Sequence, residues 1–114
     1  MEDCLFCRIV AEEIPAEVVA ANDHALAFRD IAPTAPTHVL VIPRAHHPNL
    51  AAVAEADPAL LAEMVRLARQ VADTEGVADD GYRLVANTGA AAHQSVFHAH
   101  LHVIGGRPMG WPPG

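Results

Sequence analysis

The sequence predicts an α+β fold with one antiparallel sheet of about five strands, one long helix and one short helix. Two observations lead to this class. Strand-like segments follow one another in runs separated by turn residues, and only one long helical segment interrupts them, between the third and fourth strands. The length of 114 residues suits one compact domain. We therefore expect a single domain over residues 1–114.

The N-terminal half is expected to form the short helix and three strands. The helix covers residues 4–12 and ends before Pro15, which does not continue a helix. The short connection at residues 22–24 joins the first two strands in a hairpin, and "APTAP" at residues 32–36 separates the second strand from the third. The predicted strands cover residues 18–21, 25–30 and 37–42.

The clearest predicted element is a helix over residues 57–76. Asp57 suits its N-cap, Pro58 suits its first turn, and Gly76 is a natural stop. Its apolar residues recur at helical spacing, so one face should pack on the sheet. These residues are Leu60, Leu61, Met64, Val65, Leu67, Ala68 and Val71.

Two further strands are predicted at residues 82–86 and 97–104, and the second contains "HAHLHVIGG". Successive side chains of a strand point to opposite faces, so His98, His100 and His102 share one face while the apolar residues between them share the other. One buried histidine is common. Three on one face carry a desolvation cost that packing does not explain, which indicates a functional site.

The composition argues against several classes of function. A net charge of −7 disfavours nucleic acid as a partner, because such binding depends on cationic side chains. The chain has no lysine, which excludes lysine Schiff-base chemistry, and its single serine, Ser95, lies outside a G-x-S-x-G motif. No apolar run approaches the roughly 20 residues of a membrane-spanning helix, and no secretory signal is visible. We expect a cytoplasmic protein without a membrane partner.

The three aligned histidines leave two chemical interpretations open. They could ligate a zinc ion with an open position for water. Alternatively, one imidazole could attack a phosphoryl group without a metal, since imidazole has a pKa of about 6.5 and is largely unprotonated near neutral pH. Upstream, "NTGAAAHQSV" would bring the Gln94 amide, the Ser95 hydroxyl and backbone N–H groups beside the histidines, as a candidate phosphate cradle.

Cys4 and Cys7 form a lone C-x-x-C motif. In a reducing cytosol such a pair is a redox centre, half of a metal site, or two small apolar residues. No βαβ context precedes the motif, which disfavours the redox interpretation. Metal binding is favoured over packing.

The run from His98 to Ile104 resembles the signature of the histidine triad (HIT) family, H-x-H-x-H followed by two apolar residues. Further segments extend the resemblance over nearly the whole chain and look like the Hint branch, the purine nucleoside phosphoramidases. These segments are "IPAEVV", "LAFRDIAPTAPTHVLVIPRAH", "GYRLVANTG", "QSVFHAHLHVIGGR" and "WPPG". The resemblance implies hydrolysis of purine nucleoside 5′-phosphoramidates or of substrates like aminoacyl-adenylates.

The resemblance also assigns catalytic roles to residues of this chain. His100 matches the nucleophile, which attacks the α-phosphorus, releases the amine and leaves a nucleotidyl-histidine that water opens. His102 would contact the phosphate, and the strand around His98 would orient His100. Three further residues match positions near the phosphate and the leaving group or lining the site, namely Ser95, Asn87 and His38.

Nucleotide, metal and subunit contacts follow from the same resemblance. Asp30 matches the carboxylate that accepts hydrogen bonds from the ribose hydroxyls. The apolar wall of the purine pocket would comprise Leu5, Phe6, Ile9, Phe28 and Ile31. A structural zinc ion would be held by Cys4, Cys7, His46 and His98. Trp111 matches a residue that packs near the other protomer's site, which implies a homodimer with a sheet continuous across it.

One position departs from the family pattern. His93 stands where the family usually has glycine, and a positive φ there would cost about 1 kcal/mol for a histidine. The side chain could instead add a proton donor near the departing amine. Other functions stay open: a dinucleoside polyphosphate hydrolase, a nucleotide-binding or scaffold protein with incidental hydrolysis, and a mononuclear zinc hydrolase.

Overall fold

The computed structural model describes residues 3–114. Its elements are, in chain order, α1 (Leu5–Val10), β1 (Val18–Ala21), β2 (Ala25–Arg29), β3 (Thr37–Pro43), α2 (Leu50–Ala56), α3 (Pro58–Thr74), β4 (Tyr82–Val85) and β5 (Leu101–Gly105), with a 3₁₀ turn at Ala90–Ala92 before β5. The strands form one sheet in the order β1-β2-β3-β5-β4, and every neighbouring pair is antiparallel. The predicted α+β class is confirmed.

Helix α3 covers one face of the sheet. It begins as the sequence predicts, because the Asp57 side chain accepts a hydrogen bond from the Leu60 N–H at 3.2 Å and Pro58 occupies the first turn. Its buried side chains pack against β2, β3 and β5 and form the larger of two apolar clusters. The buried residues of α3 are Leu60, Met64, Leu67, Ala68, Val71 and Ala72.

Helix α1 covers the opposite face and forms a smaller apolar cluster. Phe6 and Ile9 point from α1 onto side chains of β2 and β3. The rings of Phe6 and Phe28 meet edge to face with centroids 5.5 Å apart, an arrangement that aromatic pairs prefer. The sheet therefore has two buried faces, and the histidines lie on the side of α1.

The prediction of one long and one short helix is wrong in number, because α2 lies between β3 and α3. Asn49 caps it by accepting the Ala52 N–H at 2.9 Å, and Asp57 ends α2 as it begins α3. Within α2 only Val53 is buried. Six of its seven residues are apolar and four of them are alanine, so apolar and polar positions do not alternate at helical spacing and the sequence pattern did not indicate this helix.

Strand β5 begins at Leu101, four residues later than predicted for this strand. The β3–β5 ladder ends with Val41 opposite Leu101. Two residues further along, Pro43 would face Ala99, and proline has no N–H to donate to a ladder. The Ala99 N–H instead donates to the carbonyl oxygen of His47 at 2.7 Å. The predicted alternation still holds, since Ala99, Leu101 and Val103 all lie in the cluster beneath α3.

Among residues 3–114 the longest helix is α3, with 17 residues. No helix in this part of the chain combines the length and the apolar character that crossing a bilayer requires.

Candidate active site and metal cluster

Three histidine rings line up beside α1. The Phe6 ring packs edge-on against His98 and His100, with centroid distances of 5.8 and 5.2 Å, and the rings of His100 and His102 are 5.1 Å apart. His98 is fully buried, whereas His100 and His102 are partly exposed. Only His102 belongs to β5. The predicted common face is therefore built by the irregular segment before β5 as well as by the strand.

The hydrogen bond of His100 fixes which of its nitrogens carries the proton. His100 Nδ1 lies 2.7 Å from the carbonyl oxygen of His98. A carbonyl oxygen only accepts, so Nδ1 is the protonated nitrogen and Nε2 keeps its lone pair. The neutral ring thus offers an unprotonated nitrogen on the side away from the backbone.

A chain of hydrogen bonds fixes His102 in the opposite tautomer. The Thr34 N–H donates to His38 Nδ1 at 3.1 Å, so the His38 proton is on Nε2. His38 Nε2 lies 2.9 Å from His102 Nδ1, which must accept, and the His102 proton is therefore on Nε2. Asp30 Oδ2 is 3.4 Å from the same His38 nitrogen.

Electrostatics keep His102 neutral. Burial, together with charge on His100 and His38, lowers the pKa of His102 from 6.5 to about 4. In their neutral forms the two rings thus place an imidazole with an available lone pair, His100, beside one with an available N–H, His102. Such a pair can attack an electrophile and donate a hydrogen bond to it at the same time.

Four side chains at the N-terminus of α1 form a compact group of metal-ligand type, namely Cys4, Cys7, His46 and His98. The two Nδ1 atoms are 3.2 Å apart, and the sulfur–nitrogen distances are 3.3 Å from Cys4 to His98 and 3.4 Å from Cys7 to His46. Tetrahedral zinc with ordinary bond lengths requires about 3.3 Å between nitrogens and about 3.6 Å between nitrogen and sulfur. The four donor atoms fit such an ion.

The tautomer of His98 suits a metal ligand. His98 Nε2 is 2.8 Å from the carbonyl oxygen of Pro43, so Nε2 carries the proton and the lone pair of Nδ1 faces the two sulfurs. Burial, and then the neighbouring His46, lower the pKa of His98, which keeps its ring neutral. The backbone of β3 thereby prepares one ligand for a cation.

Asp30, His38 and His102 form a second group with ligand atoms within 4.8 Å of one another. The hydrogen bonds argue against a metal there. His38 Nδ1 already accepts the Thr34 N–H, and its Nε2 carries a proton that points to His102. A protonated nitrogen cannot ligate, so this group is a hydrogen-bond chain.

The predicted nucleotide-binding residues divide into buried and exposed sets. Phe6, Ile9 and Phe28 are buried in the cluster beneath α1, and Leu5 and Ile31 are 44% and 101% exposed. Asp30 is partly buried, and its Oδ1 accepts the Ala32 N–H at 2.8 Å while Oδ2 lies toward His38.

The remaining predicted site residues lie on the segment between β4 and β5. Asn87 is half-buried just after β4, and Ser95 is exposed and lines a groove of about 590 Å³ together with Cys4, Leu5, His46 and Phe97. His93 has φ 67° and ψ 32°, so the left-handed conformation considered at this position is present. Trp111 is 84% exposed.

Gln94 differs from its predicted role. Its amide was expected beside the histidines, but the side chain is buried and bonded to backbone of its own loop and of Pro48. The sequence also gave no signal for Thr34 and Pro43, because both act through backbone atoms whose position depends on tertiary structure.

Comparisons with known proteins identify the family of this chain. A model of the HIT domain family matches residues 11–109. The chain belongs to the HIT family. A purine nucleoside phosphoramidase of Escherichia coli K12 is 43% identical over 109 residues, covering 96% of this chain and 92% of that protein. A HIT-like protein of Synechocystis is 49% identical over 113 residues, covering 99% of this chain and 98% of that protein.

The fold of this HIT domain is shared by a solved structure. The crystal structure of a HIT family hydrolase from Legionella pneumophila matches it with a TM-score of 0.94 and 49% identity, covering 98% of this chain and all of that one. The family resemblance stated from the sequence is confirmed.

Proposed function

We propose that this HIT domain is a hydrolase that cleaves the P–N bond of purine nucleoside 5′-phosphoramidates, or the corresponding bond of aminoacyl-adenylate-like substrates. The observation that carries the proposal is the tautomer pair at the site. His100 has an available Nε2 lone pair, and the adjacent His102 has an available Nε2–H. The 43% identity to a purine nucleoside phosphoramidase supports the same substrate class.

In this mechanism His100 Nε2 attacks the α-phosphorus and the P–N bond breaks. The amine takes a proton from solvent as it leaves, and the nucleotide is held on His100 as a cationic imidazolium phosphoramidate. The Nδ1–H bond to the His98 carbonyl oxygen stabilises that cation. Water then attacks phosphorus, releases one proton to solvent and restores the neutral imidazole. One water is consumed, and its two hydrogens end on the amine and the phosphate.

His102 and its neighbours serve the phosphate and the nucleoside. The His102 Nε2–H donates to a phosphoryl oxygen, and His38 holds His102 in that tautomer. Asp30 accepts from the ribose hydroxyls, and the purine lies against the wall of Leu5, Phe6, Ile9, Phe28 and Ile31. Asn87 and Ser95 contact the phosphate and the leaving group.

Release of AMP from adenosine 5′-phosphoramidate tests the proposal. The comparison is wild type, His100→Ala and His24→Ala, where His24 is an exposed turn histidine that serves as the matched control. We expect His100→Ala to lower kcat by at least about 10³-fold, as for loss of a nucleophile, and His24→Ala to leave it unchanged. A folded wild-type protein that releases no AMP contradicts the proposal, as does an active His100→Ala.

We further propose that the Cys4, Cys7, His46 and His98 group holds a structural zinc ion. Four protein ligands fill a tetrahedral shell and leave no position for substrate, so the ion would stabilise the fold and take no part in the reaction. In the metal-free protein, burial and the neighbouring Cys4 raise the pKa of the Cys7 thiol, so zinc binding must displace a proton.

Metal analysis of the purified protein tests the zinc proposal. We expect one zinc per chain in wild type and in His47→Ala, whose histidine adjoins the cluster without belonging to it. Cys7→Ser should lose most of the zinc and unfold at a lower temperature. Equal zinc content in Cys7→Ser and wild type would contradict the assignment.

Homodimerisation is the last part of the proposal. Strand β4 lies at an edge of the sheet, its Leu84 is 38% exposed, and an edge strand of this kind can pair with a second copy to continue the sheet. Sedimentation equilibrium should give twice the chain mass. A chain that remains monomeric at micromolar concentration would contradict it.

A further inference from the structure

Gln94 is a buried polar residue within a loop whose other residues are exposed or half-buried. Its side chain is 5% exposed, while residues 90–93 and 95 are all exposed. We refer to residues 87–95, which carry Asn87 and Ser95, as the phosphate loop. The proposed reaction gives Gln94 no contact with substrate, so its burial requires another explanation.

Every polar group of this amide has a backbone partner. Gln94 Nε2 donates to the carbonyl oxygens of Pro48 at 2.7 Å and Val96 at 3.1 Å, and Oε1 accepts the Gly89 N–H at 2.9 Å. The reverse orientation of the amide would set its oxygen against two carbonyl oxygens, so the orientation is determined. Gln94 therefore ties Gly89, near the start of the phosphate loop, and Val96, just after its end, to residue 48.

The segment that receives this bond also carries a metal-cluster residue. His46 Nδ1 lies 3.2 Å from His98 Nδ1 and 3.4 Å from Cys7 Sγ. The carbonyl oxygen of His47 accepts the Ala99 N–H, and that of Pro48 accepts from Gln94. The consecutive residues 46, 47 and 48 thus contact the metal cluster, the segment that carries His98 and His100, and the phosphate loop, respectively.

We propose that Gln94 is a positioning residue that couples the metal cluster to the phosphate loop, so that zinc binding and nucleotide binding strengthen each other. The inference rests on the proposed nucleotide and zinc sites. A cation bound to His46 would restrict the motion of residues 47 and 48. The hydrogen bonds of Gln94 to Pro48 and Gly89 would then restrict the motion of the phosphate loop as well. The nucleotide then binds a loop that is already ordered, so its binding loses less conformational entropy.

Zinc affinity measured with and without AMP tests the coupling. Competition with a chromophoric chelator gives the zinc affinity of wild type, Gln94→Met and Asn49→Ala, each with and without saturating AMP. Methionine is similar in length to glutamine and makes none of its three hydrogen bonds. Asn49 is the matched control, because its side chain caps α2 next to Pro48 and, within residues 3–114, makes its one hydrogen bond with the Ala52 N–H.

Coupling energies of this kind correspond to between about 5-fold and 150-fold in affinity. We expect AMP to tighten zinc binding within that range in wild type and Asn49→Ala, and to change it less than twofold in Gln94→Met. Gln94→Asn, one methylene too short to span Gly89 and Pro48, should behave like Gln94→Met and serves if the methionine variant does not fold.

The outcomes separate this inference from the proposed function. Calorimetry on the same samples records AMP binding directly. A wild-type protein that binds AMP with no change in zinc affinity overturns the coupling alone. The coupling is also overturned if AMP changes the zinc affinity of wild type and of both Gln94 variants by the same factor. A folded wild-type protein that binds no AMP overturns the nucleotide site together with the coupling.

Discussion

The neutral state of His102 should make the stability of the protein depend on pH in a way that one substitution removes. Folding lowers the pKa of His102 from 6.5 to about 4. Between these values the unfolded chain binds a proton that the folded protein does not, so falling pH favours unfolding. His102→Asn removes the titrating group. The Oδ1 of the asparagine can accept a hydrogen bond from His38 Nε2–H, as the Nδ1 of His102 does in wild type.

The size of the effect follows from the two pKa values. At pH 5 proton binding to His102 stabilises the unfolded chain relative to the folded protein by RT ln[(1 + 10^1.5)/(1 + 10^−1)], about 2 kcal/mol, where the exponents are the two pKa values minus the pH. At pH 7 the corresponding expression gives about 0.2 kcal/mol. His102 is partly exposed, and solvent screening reduces the difference to about 1 kcal/mol. Lowering the pH from 7 to 5 should therefore cost wild type about 1 kcal/mol more than His102→Asn.

Urea unfolding at both pH values and one fixed protein concentration measures this difference, since a fixed concentration keeps any contribution from association the same. Other groups, among them His98, titrate in both proteins and cancel in the comparison. Equal pH dependence in wild type and His102→Asn would refute the reasoning. It would mean that His102 is as readily protonated in the folded protein as in the unfolded chain.

Three further predictions concern the free energy of unfolding, which urea unfolding measures. Glu75→Gln replaces the carboxylate that pairs with both terminal nitrogens of Arg29 at 2.7 and 3.0 Å, and should cost about 1 to 2 kcal/mol at pH 7. Because Arg29 lowers the pKa of Glu75, this cost should vanish as the pH falls through that lowered value; a cost that persists in acid would contradict the ion pair. Met64→Ala opens a cavity beneath α3 and should cost about 2 to 5 kcal/mol, against less than about 0.5 for the exposed Val65→Ala. His93→Gly should be about 1 kcal/mol more stable than His93→Ala, because alanine keeps the strain of the positive φ; equal stabilities would contradict that strain.

The sequence could predict the sheet and the long helix because both depend on local patterns. Strand β1 has the predicted bounds, and the cap at Asp57 forms as expected. The prediction failed where the sequence pattern was short, as in α2, and where pairing with a distant strand determines the bounds of an element, as at the start of β5. There Pro43, on a different strand, ends the ladder, and nothing local to residues 97–100 reveals it.

The candidate site shows the same limit more sharply. Residue types and spacing could indicate that the histidines matter, and the family resemblance could assign each a role. They could not give the proton positions, which depend on Thr34 N–H and on the carbonyl oxygens of Pro43 and His98. Backbone groups leave no mark in composition or periodicity, so these determinants emerge only when the chain is folded.

Those backbone bonds also explain how one short segment can serve two kinds of chemistry. His98 donates through Nε2 to Pro43, which turns the lone pair of Nδ1 toward the thiols. His100 donates through Nδ1 to the backbone, which leaves the lone pair on Nε2. His102 accepts at Nδ1 and keeps a proton on Nε2. Under the proposed function these three chemically identical side chains would serve as a metal ligand, a nucleophile and a donor, and each assignment depends on a hydrogen bond that a single substitution can test.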